Sequence, residues 1–199
     1  MINTISVFCG SGSGTRQAYT AAARELGVLL AGKDIRLVYG GGKRGLMGVI
    51  AETMLKNGGR VTGVIPRALA DKEVAYTDLH DLRIVGSMHE RKAAIARIAD
   101  AFIALPGGFG TMDEIFEAIT WAQLGIHQKP CAFLNVRGYY DHLIAFIDHA
   151  VKEQFIPSDN KALILVDDKP DKLLHKIEEF RPAQVDKANW ALKNSNKQI

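Results

Sequence analysis

Chemistry in this sequence concentrates where charged side chains adjoin glycine-rich turns. The run Ile103-Ala-Leu-Pro-Gly-Gly-Phe-Gly-Thr-Met-Asp-Glu114 passes from the end of an apolar segment through three glycines to a carboxylate. A helical pattern begins at Thr111, with Ile115, Phe116, Ile119 and Leu124 on one face. A strand, a glycine-rich turn and a helix N-terminus make an anion site, because first-turn N–H groups have no internal partner and glycines let a ligand approach them. A phosphate is expected there. Glu114 has two readings. Thr111-x-x-Glu114 has the spacing of a capping box, so the carboxylate either caps the helix or does chemistry beside the anion. Arg91 and Lys92 follow a second capping-box spacing, Ser87-Met-His-Glu90; taken alone they are solvated cations on a helix surface.

Two more glycine-rich turns resemble the first in placement. Gly10-Ser-Gly-Ser-Gly-Thr15 follows the apolar residues 5–9 and precedes an alanine-rich helix to about residue 30. Its glycines alternate, unlike a dinucleotide fingerprint, and the next strand, 35–39, ends in Tyr39-Gly40 without an acid for a ribose 2′-hydroxyl. NAD is therefore not expected. Gly40-Gly-Gly-Lys-Arg-Gly-Leu-Met-Gly48 is not a P-loop, since Arg44 rather than Ser or Thr follows Lys43. Some of its glycines are accounted for by a tight turn and close helix–strand packing. Together the turns offer Gly10, Ser11, Gly41, Gly42 and Gly107 as lining for a phosphate pocket.

The elements that must position these groups alternate regularly. Strands are expected at 5–9, 35–39, 61–65 (halted by Pro66), 82–85, 101–105, 129–135 and 163–166. Helices follow most of them, including 139–153 and 170–180, and a polar loop through Asp71-Lys-Glu73 to Asp81 lies over the pocket. Such alternation predicts an α/β, Rossmann-like, doubly wound and mostly parallel sheet with helices on both faces. Ligands of such sheets bind beyond the carboxyl ends of the strands, where all three turns lie. Residues 1–180 read as a single domain and 181–199 as a polar tail anchored only by Trp190.

Composition narrows the class. The sequence is 47% hydrophobic and 24% charged, with a net charge of +3 and dispersed lysines, which argues against a nucleic-acid partner. Neither a signal peptide nor a run long enough to cross a bilayer is apparent, so no membrane partner and a cytoplasmic setting are expected. Cys9 and Cys131 read as reduced core residues. His142 and His149 lie two helical turns apart, and His89-Glu-Arg-Lys-Ala93 lacks the second histidine of a zinc helix, so no metal is expected.

Four blocks of the sequence go further. Pro106-Gly-Gly-Phe-Gly-Thr-Met-Asp-Glu114 is similar to the PGGxGTxxE signature of the Lonely Guy (LOG) family. The run 40–48 resembles that family's GGGxxGLMG block, Met88-His-Glu-Arg-Lys92 its MHxRK block, and Thr120-Trp-Ala-Gln-Leu-Gly-Ile-His127 another of its stretches. Gly12 departs from the CGSS-type stretch usual near the N-terminus. The resemblance spans roughly residues 5–180. It implies a cytokinin riboside 5′-monophosphate phosphoribohydrolase, of a kind formerly mislabelled lysine decarboxylase, that hydrolyses the N-glycosidic bond of prenylated AMP, AMP or both. It implies Arg91 and Glu114 as the catalytic pair and Glu73, Lys92, Gly108, Phe109, Gly110, Thr111 and Thr120 as substrate contacts. Glu117, one turn beyond Glu114, would support them. It also implies a homodimer with sites near the interface and no cofactor. The rival reading is a molybdenum-cofactor carrier, which needs the phosphate cradle but not both charged residues. A pyridoxal-phosphate decarboxylase is remote, because no lysine stands in a recognisable Schiff-base setting.

Overall fold

The computed structural model describes residues 1–70, 75–79 and 81–182. The loop that carries Glu73 and the tail from residue 183 lie outside the described residues. Seven strands, β1 (Thr4–Phe8), β2 (Arg36–Tyr39), β3 (Val61–Pro66), β4 (Asp81–Val85), β5 (Ala101–Ala104), β6 (Cys131–Leu134) and β7 (Ile164–Asp167), form one sheet in the order β4-β3-β2-β1-β5-β6-β7. Every neighbouring pair is parallel. Between them run α1 (Gln17–Gly32), α2 (Gly45–Lys56), the short α3 (Arg67–Ala70), α4 (Met88–Ile98), α5 (Phe109–Gln123), α6 (Asp141–Lys152) and α7 (Pro170–Glu179).

Alternation along the strands builds two cores. Ile5, Val7, Leu37, Tyr39, Ile103 and Leu134 pack toward α1, α2 and α7. Their neighbours Phe8, Val38, Phe102, Ala104 and Phe133 pack toward α4, α5 and α6. Because both faces are covered, the central strands read as continuous apolar runs, as parallel sheets require. This is the doubly wound architecture expected from the sequence.

Strand order reverses between β1 and β5, with β2 to β4 on one side and β6 and β7 on the other. The turns after β1 and β5 leave this switch point side by side, joined by a bond from the Gly10 N–H to the Pro106 carbonyl (3.0 Å). The turn after β2 joins them, since the Leu46 N–H donates to the Gly10 carbonyl at 3.1 Å. Here Gly45 has φ +60°, and an added Cβ would overlap the Ser11 carbonyl. Only glycine lets α2 start that close to the first turn.

Two local expectations differ from the structure. Pro66 does not halt β3 ahead of itself but is its last residue, paired in register with Val85. A strand end tolerates the missing donor. The larger difference is at α5, which begins at Phe109 with Gly108 as its N-cap, so Thr111 lies buried inside the first turn and is not a cap. The capping reading of Glu114 falls with it. At α4 the box does form: the Ser87 hydroxyl accepts from the Glu90 N–H at 3.1 Å, while the Glu90 carboxylate reaches past it to the Gly86 N–H at 2.7 Å.

Candidate active site

Beyond the carboxyl ends of β1 and β5 lies a cleft of about 260 Å³, open to solvent at its mouth. One wall is the turn after β1, through Cys9, Gly10 and Ser11, and the opposite wall is the start of α5 from Gly108 to Thr111 with Asp113 and Glu114. Val7, Phe8, Gly40, Met47, Leu69, Met88 and Arg91 complete the lining. No side chain caps α5 at Gly108, so its first-turn N–H groups face this space without a side-chain partner. Such a terminus attracts anions through both hydrogen bonds and the helix dipole.

Across the floor lies an ion pair. Arg91 donates from Nη2 to Glu114 Oε1 at 2.7 Å, and the two side chains are only 11% and 8% exposed. Each comes from a different half of the sheet: Arg91 follows β4 on α4, whereas Glu114 follows β5 on α5. The guanidinium lies against Gly40, where an added Cβ would strike it. Its Nε has no partner among the described residues, and Nη1 meets only the Met88 sulfur at 3.6 Å. The pair is therefore formed but not saturated. A buried charge pair left with spare donors is a poor stabilising device and a good ligand site.

Burial pushes the Glu114 carboxyl above its ordinary range; the Arg91 charge opposes this, and Asp113 and Glu117 reinforce it. Cys9, on the cleft wall, has its thiol pushed far up by burial and secondarily by the nearby Glu114 charge. It is a protonated, inert neighbour.

The remaining expected residues divide. Gly10, Ser11, Gly108, Phe109, Gly110 and Thr111 line the cleft with Arg91 and Glu114. Gly41, Gly42 and Gly107 stand behind it. Gly41 accepts from the Tyr76 N–H at 3.0 Å, Gly42 bridges to Ala75, and Gly107 packs on Gly10 and Thr111. Lys92 faces away from the cleft, bridging Asp113 (3.2 Å) and Glu117 (3.1 Å) so that α4 is tied to α5. Burial pulls its ammonium down, but the hydrogen bonds to Glu117 and Asp113 outweigh this and leave it above its ordinary value. Glu117 is thus paired with Lys92. Thr120 is exposed and donates to the Phe116 carbonyl at 2.7 Å. It lies six residues beyond Glu114, about 9 Å along the helix and on another face. Glu73 falls outside the described residues. Reading the sequence alone missed Met47 and Leu69, apolar lining whose only signal is proximity to the glycine run and to Pro66.

A parallel doubly wound sheet, an anion-ready helix end at its switch point and a buried Arg–Glu pair define a Rossmann-like protein with a candidate anion site. Residues 47–177 match the family model described as "Possible lysine decarboxylase". The chain is 53% identical over 178 residues to the rice (Oryza sativa subsp. japonica) "Probable cytokinin riboside 5′-monophosphate phosphoribohydrolase LOGL9", covering 89% of this chain and 78% of that protein. It is 46% identical over 191 residues to "Cytokinin riboside 5′-monophosphate phosphoribohydrolase LOG1" of Arabidopsis thaliana, covering 94% and 90%. The chain belongs to this LOG family. Among solved structures, the molybdenum cofactor binding protein of Rippkaea orientalis superposes with a TM-score of 0.68 at 20% identity, over 89% of this chain and 96% of that one. The molybdenum cofactor carrier protein of Chlamydomonas reinhardtii gives 0.67 at 18%, over 90% and 98%. At such identities the likeness is one of fold.

Proposed function

We propose that this protein hydrolyses the N-glycosidic bond of adenine-type nucleoside 5′-monophosphates, releasing the free base and ribose 5-phosphate. The observation that carries the reading is the buried, unsaturated Arg91–Glu114 pair beside an uncapped helix N-terminus. The turn Gly107 to Gly110 and the first N–H groups of α5 bind the 5′-phosphate. That anchor sets the ribose over Glu114. As the bond to the base lengthens, positive charge develops on the sugar, and the Glu114 carboxylate stabilises it and takes a proton from the attacking water. Its raised pKa makes it a stronger base than an ordinary carboxylate. Arg91 holds Glu114 in place with one amino group and keeps its other donors for ribose or phosphate oxygens. The water's hydroxyl bonds to C1′ as the bond to the base breaks, and the proton taken by Glu114 passes to the departing base, so atoms balance without a cofactor.

Met47, Leu69, Met88 and Phe109 give the cleft an apolar side that suits a prenyl group on the base. A prenylated AMP is the preferred substrate on this reading. Neither rival gains support from the cleft. A carrier has no use for a buried base poised beside its ligand, and no lysine is among the described residues lining the cleft, as a pyridoxal-phosphate enzyme would need. The protein acts as a homodimer in a reducing cytoplasm, which suits its two free thiols. Since Thr120 stands off the cleft of its own chain, any contact with substrate is made in a second copy; a sedimenting mass of one chain would overturn this.

The test is release of free base from AMP, isopentenyladenosine 5′-monophosphate and isopentenyladenosine. Both monophosphates should yield base, the prenylated one faster, and the riboside should not. Equal release from the riboside would remove the phosphate anchor. Tight nucleotide binding with no release would favour a carrier.

A further inference from the structure

Three successive carbonyls of the signature turn are each held from behind. Leu105 accepts from the Tyr140 hydroxyl at 2.6 Å, Pro106 from the Gly10 N–H at 3.0 Å and Gly107 from the Tyr139 hydroxyl at 2.7 Å. Tyr139 is itself braced by rings at near right angles, Tyr19 at 5.7 Å and Tyr140 at 4.9 Å between centroids. Its ring borders a second depression, beside Gly107 and Gly108, that adjoins the cleft and shares Gly10, Ser11 and Gly108 with it. No glycosidic chemistry explains a tyrosine there. A trans peptide carries its N–H on the edge opposite its carbonyl. Fixing the Gly107 carbonyl on Tyr139 therefore turns the Gly108 N–H to the other side of the turn, and Gly108 also lines the catalytic cleft.

We propose that Tyr139 is a positioning residue for substrate phosphate: its hydroxyl, by holding the Gly107 carbonyl, aims the Gly108 N–H at the anion. This rests on the reading above that the phosphate lies at this turn. Tyr140 makes a bond of similar length but holds a different peptide. The residue after Leu105 is Pro106, which has no N–H to aim. The two hydroxyls are chemically alike, yet only one sets a donor.

That asymmetry gives the experiment. Tyr139→Phe and Tyr140→Phe each delete one hydroxyl and keep the ring. Steady-state constants are measured with isopentenyladenosine 5′-monophosphate, and ribose 5-phosphate affinity by calorimetry, where no turnover is needed. Tyr139→Phe should raise KM and weaken ribose 5-phosphate binding together, by about 5- to 10-fold, the scale of one hydrogen bond, with kcat within about twofold. Tyr140→Phe should lower the melting temperature and leave both constants near wild type. Unchanged KM and affinity in Tyr139→Phe, or equal shifts in both variants, would overturn the proposal, the latter by reducing it to a loosened loop. Wild-type protein that does not bind ribose 5-phosphate would instead overturn the phosphate reading beneath it.

Discussion

At the scale of single residues, the proposed chemistry turns on Glu114. Its carboxylate is buried against Arg91, not spent on a helix end, so Glu114→Gln should fold while losing about 10²–10⁴-fold in turnover, the worth of a positioned base. Calorimetric nucleotide affinity should survive within a few-fold. Turnover retained in that variant would remove the carboxylate from the mechanism. The direction of its pKa gives a second readout. A base whose pKa is raised stays protonated to higher pH, so kcat/KM should fall on acidification starting above the ordinary carboxylate range, not within it. An acid limb at the ordinary value would show a free, solvated group. The sequence alone left Glu114 open between cap and base, and family resemblance tipped the balance. What settles the cap is the start of α5 two residues ahead of Thr111, a boundary that glycines at Gly107, Gly108 and Gly110 obscure because they weaken every local helix signal.

Among the elements, the turns carry more than the helices. All three glycine-rich turns were legible as strand-to-helix turns at one end of the sheet, since each glycine cluster stands between an apolar run and a helical pattern. Their mutual packing was not. That Gly45 seats α2 against Ser11 depends on contacts between turns far apart in sequence. Gly45→Ala should cost at least about 1–2 kcal/mol from its left-handed backbone alone, and more from the overlap with the Ser11 carbonyl. Thermal or denaturant unfolding measures it; a variant as stable as wild type would mean the two turns move independently. Lys92 shows the opposite limit. From sequence alone it reads as a solvated cation, and the family resemblance implies a substrate contact; in the structure α4 presents Arg91 to the cleft while Lys92 bridges Asp113 and Glu117 on α5, consecutive helical residues pointing about 100° apart.

For the molecule as a whole, strand alternation gave the parallel sheet, and the position of the glycines marked the end at which the candidate cleft lies. Strand order did not follow from pattern. It needs the long return from β4 at the sheet edge, through α4, to β5 at the centre, and that return is what brings Arg91 to Glu114. The site is thus a property of the closed fold. Cys9 sits at its wall, buried at 7% exposure, with its thiol pushed far up by that burial. The thiol has no part in the chemistry, but it can serve as a clock. An aromatic disulfide reagent should leave it almost untouched in the native protein and modify it, with Cys131, on unfolding. The slow native rate then counts how often the floor of the cleft breathes open, and saturating ribose 5-phosphate should slow it further. Immediate modification of Cys9 in the resting protein would mean that the wall stands open without a ligand.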